Sequence, residues 1–171
     1  MDIPVRFAEY EDLPAVNQIR RQVNRVHCQG RPDIFRPGFC EEIQNLLYER
    51  FSSDQSDVIV VLVEDNICGF AIVEYRTKPL SPYSLERRYY EVVEFGVDEK
   101  HRRKGVATAL VACMKKDAVR KGFPRMELDM WEFNEGALKF YENAGFQTYR
   151  RYMELPLSPA EEEKTAQNPM E

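Results

Sequence analysis

The densest group of chemically useful side chains in this sequence is His101-Arg102-Arg103-Lys104-Gly105-Val106-Ala107. Three consecutive cations precede a glycine, at the point where an apolar strand pattern ending at Val97 gives way to a helical one. A turn there aims unpaired backbone N–H groups outward at the positive end of a helix dipole, which makes an anion site suited to phosphate. Gly105 lets a ligand approach the backbone closely, and small Ala107 avoids a clash at the helix start. The loop is not of the nucleoside-triphosphate type, because Gly-Lys-Ser/Thr is absent. The plain alternative for such a cluster is a solvated basic patch.

Metal and redox chemistry find little support. His27 and His101 are the only histidines, and the four cysteines Cys28, Cys40, Cys68 and Cys113 form no Cys-x-x-Cys pair. No metal is expected, and reduced thiols in a cytoplasmic protein are. The chain has 171 residues, 24 basic against 29 acidic, for a net charge of −5. That balance disfavours a nucleic-acid binder, although residues 100 to 104 would be its contact if one existed. The longest apolar run, Val58 to Val63, is far below the ~20 residues of a membrane span, and the first residues lack a signal-type stretch. With 43% hydrophobic residues the chain can build one ordinary core, as a monomer or a homodimer.

The positioning elements follow from periodicity. Leu13, Val16, Ile19, Val23 and Val26 mark one face of a helix, and the breaker-rich stretch His27 to Gly38 reads as a loop. Phe39, Ile43, Leu46, Leu47 and Phe51 mark a second helix. Val58 to Glu64 and Ile67 to Arg76 read as a hairpin turning at Asp65 and Asn66, with Ile3 to Ala8 as a short strand before the first helix. Tyr89 to Val97 follows as a strand, and Ala107, Leu110, Val111, Met114 and Ala118 as a third helix closed by Gly122. Arg125 to Trp131 alternates as a strand, and Ala137, Phe140, Tyr141 and Ala144 form a helix capped by Asn134 and closed by Gly145. Gln147 to Leu155 reads as a last strand. This order predicts a domain over residues 1–155 and an acidic tail over 156–171, in which Ser158-Pro159-Ala160-Glu161 has the form of a capping box. The fold class is α/β, with a mixed, mostly antiparallel sheet of about six strands and about four helices on both faces.

Two motifs carry a family resemblance. Arg102-x-x-Gly105-x-Ala107 after a strand resembles the acetyl-coenzyme A signature of the GNAT superfamily of N-acetyltransferases, and Asn134 to Phe146 resembles its Asn-x-x-Ala-x-x-Phe-Tyr-x-x-x-Gly-Phe segment. Arg103 stands where many members have a second glycine. The resemblance implies acetyl transfer from acetyl-coenzyme A to a primary amine by direct attack in a ternary complex, with the pantetheine lying between splayed strands ending near Val97 and Trp131. It implies pyrophosphate on the N–H groups of Arg103, Lys104, Gly105, Val106 and Ala107, with Arg102 and Lys104 near the phosphates and Thr108 as a further donor. Phe95, Gly96 and Val97 would line the thioester, the Val97 backbone stabilising its oxyanion. Asn134 would contact the pantetheine or simply cap its helix, and Tyr141 would protonate the departing thiolate or simply pack.

A lysine-like amine, with a pKa of about 10.4, costs roughly 4–5 kcal/mol to deprotonate at pH 7, so a carboxylate base is useful. Relatives place one on the strand before Val97, where Glu94 is favoured over Glu91. A spacing of three puts these two on opposite sheet faces unless a bulge intervenes. Acceptor contacts are sought in His27, Arg31, Asp33 and Phe35, a segment equally suited to a structural loop. The other class of function left open is a non-catalytic coenzyme A-binding module.

Overall fold

A computed structural model describes residues 3–157. One five-stranded sheet, in sequential order, joins β1 (Val5–Phe7), β2 (Ser56–Val63), β3 (Asn66–Lys78), β4 (Arg87–Val97) and β5 (Met126–Leu128). The first four strands pair antiparallel and β4–β5 is parallel. Helices α1 (Leu13–Gly30) and α2 (Glu41–Phe51) cover one face, α3 (Val106–Arg120) covers the other, and α4 (Glu135–Asn143) follows β5. A crossover helix is what a parallel neighbour requires, and α3 supplies it between β4 and β5.

The continuous apolar run in β2 reflects this two-sided cover. Val58 and Val60 pack with Leu13, Val16, Leu47, Phe70 and Ile72 beneath α1 and α2, while Ile59 and Val61 pack with Val106, Leu110 and Met114 beneath α3. A strand buried on both faces has no polar positions to spare.

Several boundaries differ from the sequence reading. The hairpin turns at Glu64 and Asp65, both with positive φ (50° and 61°), one residue earlier than Asp65-Asn66. Helix α1 runs through His27 to Gly30, so His27 is helical rather than in the loop. No breaker interrupts the helix before Gly30, and that glycine presses on Phe133, whose ring a Cβ would meet at 2.3 Å. The expected strand Gln147 to Leu155 is not formed, and the sheet has five strands rather than about six. β5 pairs over only three residues and offers few rungs for a neighbour. The segment is held by side chains instead, through Tyr149 to Glu127 at 2.8 Å and Arg31 to Glu154 at 2.9 Å. The capping box at Ser158 lies outside the described residues.

Candidate functional site

Strands β4 and β5 pair only through Tyr90–Met126, Glu91–Glu127 and Val92–Leu128, after which they separate. The Asp98 N–H reaches the Cys68 carbonyl on β3 at 2.8 Å. By the alternation of an antiparallel ladder, the main-chain groups of Val97 and Phe95 therefore point away from β3, into the gap that β5 has left. Consistent with that orientation, Arg102 Nε approaches the Val97 carbonyl at 3.4 Å. Gly96 is buried beneath α1, where a Cβ would meet Val23 Cγ2 at 2.8 Å.

Beyond the gap comes the basic loop. A short 3-10 turn, Glu99–His101, is capped by Asp98, which also holds His101 Nδ1 at 2.8 Å. Arg103 then adopts φ 64° and Gly105 φ 84°, and α3 starts at Val106. Among the described residues no backbone hydrogen bond is donated by the N–H groups of Arg102 through Thr108, whereas that of Ala109 reaches the Gly105 carbonyl at 3.0 Å. Arg102, Arg103, Lys104 and Thr108 are exposed around these donors. The result is a row of N–H groups without backbone acceptors, under positive side chains at a helix N-terminus.

Arg103 occupies a conformation that costs a non-glycine residue about 1–3 kcal/mol. Arg103→Gly is expected to raise stability by about 0.5–1 kcal/mol, the strain relief less the added entropy of an unfolded glycine. Coenzyme A affinity should fall at the same time, because one cation is lost. A thermal melt and calorimetry on the same variant check the opposite signs.

Helix α4 places Tyr141 at the other side of the gap. Asn134 caps the helix, its side chain accepting from the Ala137 N–H at 3.2 Å. The helix ends in a Schellman motif around Gly145, φ 96°, with the Phe146 N–H on the Tyr141 carbonyl and the Gly145 N–H on the Glu142 carbonyl, both at 3.0 Å. The hydrophobic contact of that motif is Tyr141 against Phe146, ring centroids 5.6 Å apart. Phe95 and Phe140 complete the setting, at 6.0 and 5.3 Å from the Tyr141 ring. Burial among these rings pushes the phenol up to about 12, so it stays protonated across the whole neutral range.

On the α1 side the two glutamates do not fall on opposite faces. A bulge leaves Val93 without a partner, so that Glu94 pairs with Ile72 and Glu91 with Glu74, positions two apart on one face of β3. Neither carboxylate is free. Glu94 accepts from Arg20 Nε at 2.7 Å, Arg20 Nη2 at 2.9 Å and Arg50 Nη1 at 2.6 Å. Glu91 accepts from Arg76 Nε at 2.6 Å, and Arg76 and Arg50 both pair with Glu74. Glu94, the favoured candidate for the base, thus has most of its acceptor positions taken by guanidinium N–H groups. Arg20, only 4% exposed, also bonds Asn17 and the Ile43 carbonyl and so ties α1, α2 and β4 together. Its signal was present in the sequence, four residues after Val16 and seven after Leu13 on the buried stripe of α1.

The substrate candidates gather at the end of α1. His27 stacks on Phe35 at 5.1 Å, Phe35 meets Trp131 edge-on at 5.2 Å, and the Arg31 guanidinium lies 5.6 Å over the Trp131 ring. Arg31 is bidentate to Asp33 and also pairs with Glu154. The Arg31-to-Phe35 segment is thus closed on itself, and Asp33 is engaged within it. Burial lowers the proton affinity of His27 below its usual range, with the Glu94 charge opposing. Trp131, read as the end of an alternating strand, lies beyond β5, which stops at Leu128, and Phe133 was missed because an aromatic residue in a loop has no periodicity to mark it. Among the described residues no group of His, Cys, Asp and Glu could hold a metal ion, and no helix is long and apolar enough to cross a membrane.

A sequence profile described as the Acetyltransferase (GNAT) family matches residues 26–146. An L-ornithine N5-acetyltransferase of Arabidopsis thaliana is 28% identical over 104 residues, 61% of this chain and 41% of that protein. The chain thus matches well under half the length of that relative. A mutant of the BH1408 protein from Bacillus halodurans superposes with a TM-score of 0.86 at 26% identity, covering 90% of this chain and 99% of the other. AAC(6')-Iy, in complex with a bisubstrate analogue of coenzyme A and acetylneamine, shares the fold at a TM-score of 0.72 and 18% identity, over 92% of this chain and 99% of that one.

Proposed function

Because the chain belongs to the GNAT acetyltransferase family, we propose that it transfers the acetyl group of acetyl-coenzyme A to a primary amine by direct attack within a ternary complex. The observation that carries this reading is the junction of two features: β4 and β5 part after Val92 and Leu128, and the unpaired N–H row of Arg102 to Thr108 begins where β4 ends. A strand gap receives the pantetheine arm, and the N–H row with Arg102, Arg103 and Lys104 receives the pyrophosphate, each charge-assisted bond contributing about 1.5–3 kcal/mol. The Val97 N–H, turned into the gap beside Phe95 and Gly96, stabilises the oxyanion formed on the thioester carbonyl. Tyr141, neutral and half-buried against Phe95, protonates the departing thiolate. Asn134, occupied as a helix cap, orders α4 and with it Tyr141. Glu94, braced by Arg20 and Arg50, contributes fixed negative charge on the acceptor side rather than an open carboxylate.

The acceptor is sought among small amines and peptides, since the similar Arabidopsis protein acetylates ornithine by its name and AAC(6')-Iy is an aminoglycoside N-acetyltransferase. The deciding experiment is hydrolysis-corrected thiol release from acetyl-coenzyme A with ornithine, spermidine, kanamycin and an N-terminal peptide. Amine-dependent turnover is expected with at least one class. Tight coenzyme A binding without turnover on any of them would instead make the chain a non-catalytic binding module.

A further inference from the structure

Resting on the acetyltransferase reading, we infer that His27 is the proton acceptor for the attacking amine, a role that the paired state of Glu94 and Glu91 leaves open. The course of α1 across the sheet carries the inference. Ile19 and Val23 lie over Gly96 of β4, where a Cβ would meet their methyl groups at 3.3 and 2.8 Å. Gly30 presses against Phe133, in the loop that follows β5. The axis of α1 therefore passes from β4 to the far bank of the gap, and His27, one turn after Val23 and about 6 Å further along, stands between the two banks. Phe35, itself edge-on to Trp131 beyond β5, backs the imidazole, with His27–Phe35 rings stacked at 24°.

Two further features suit the ring to this work. His101 has its Nδ1 committed to Asp98, whereas neither ring nitrogen of His27 enters a hydrogen bond or ion pair among the described residues. Burial keeps the imidazole neutral at physiological pH, with Glu94 near enough to favour its protonated form once a proton arrives. Phe95, against which Tyr141 rests, packs into the α3 side of the sheet, while Glu94 and Gly96 face α1. A proton acceptor on α1 and a proton donor on α4 thus flank the gap from opposite faces.

The amine lone pair attacks the thioester carbonyl carbon, forming the C–N bond as the C=O electron pair moves to oxygen. The new ammonium nitrogen gives one proton to an imidazole nitrogen of His27. Collapse restores C=O and breaks C–S, and the sulfur takes the Tyr141 proton. His27 then releases its proton to solvent and the phenolate regains one, so amine and thioester become amide and thiol with nothing left over.

The test uses the full chain with acetyl-coenzyme A and whichever of ornithine, spermidine, kanamycin or the N-terminal peptide it acetylates. His27→Phe keeps an aromatic stack on Phe35 but has no ring nitrogen, and is expected to lower kcat by about 10²-fold or more with coenzyme A affinity and melting temperature near those of the parent. His27→Ala should lose a similar factor and recover at least tenfold when imidazole is added at tens of millimolar, a response that a packing role would not give. Parental kcat in His27→Phe, or no imidazole rescue of His27→Ala, overturns the role of His27 and leaves the acetyltransferase reading standing. Absence of transfer by the parent chain to all four amines overturns both.

Discussion

Tyr141→Phe is expected to reduce kcat by about 10²–10⁴ while leaving coenzyme A affinity and the melting temperature almost unchanged. The substitution removes one oxygen and keeps the ring that Phe95, Phe140 and Phe146 hold in place. The loss should fall on kcat because the thiolate exists only after the C–S bond begins to break, so the phenol is needed in the transition state and not in the ground state. Its pKa of about 12 has a consequence for the pH profile. An ordinary tyrosine, ionising near pH 10, would impose a falling limb on kcat from about that pH. Tyr141 remains a donor there, and its ionisation should contribute no decline below about pH 12. The proton transfer stays feasible because the same apolar surroundings that hold the phenol neutral also raise the proton affinity of a buried thiolate. A steady-state profile from pH 6 to 10.5 on both proteins checks the two statements, and a Tyr141→Phe enzyme with parental kcat would reduce the residue to a packing role.

Gly105→Val is expected to weaken coenzyme A binding by about 10²–10⁴-fold, equivalent to about two charge-assisted hydrogen bonds of ~1.5–3 kcal/mol each. Gly105 sits at φ 84°, a left-handed conformation that a β-branched residue strongly resists. The chain would relax towards negative φ and turn the neighbouring N–H groups away from a common centre. The new side chain would also press on Ile3, whose Cδ1 lies 3.4 Å from an ideal Cβ at this position. Lys104→Ala is the contrast, since it removes one exposed cation without touching the backbone, and should cost tenfold or less. Isothermal titration of coenzyme A into both variants measures the difference, and similar affinities would remove the N–H row from the cofactor site.

Most of the local structure was legible because it depends on neighbours in the chain. The Asn134 cap and the Gly122 and Gly145 helix ends follow from short-range hydrogen bonding, and the two-residue turn after β2 differs from expectation by a single position. The loop from Arg102 to Ala107 was legible for the same reason, down to Arg103, which adopts a φ of 64° at the position where the motif it resembles often has a second glycine. Gln147 to Leu155 shows where such reasoning stops. Its residues suit a strand, yet a strand needs a partner edge, and the three rungs of β5 do not provide one.

The sequence by itself determined the order of elements as far as α4, the basic turn before α3, the placement of Tyr141 on α4 and the membership that the two motifs announced, because each of these is set within about a dozen consecutive residues. Only the tertiary structure decided which side chains share the gap. The bulge at Val93 turned Glu94 and Glu91 to one face, and Arg20, Arg50 and Arg76, from two helices and a strand, took up their carboxylates. The crossing of α1 over Gly96 left His27 stacked on Phe35 near the end of that helix, and Gly30 against Phe133 set the far end of the crossing. Charge pairing and helix crossing act between residues far apart in the chain, 74 positions for Arg20 and Glu94 and 123 for Arg31 and Glu154, and at such separations partners are selected by the packing of the whole sheet rather than by any pattern along the chain.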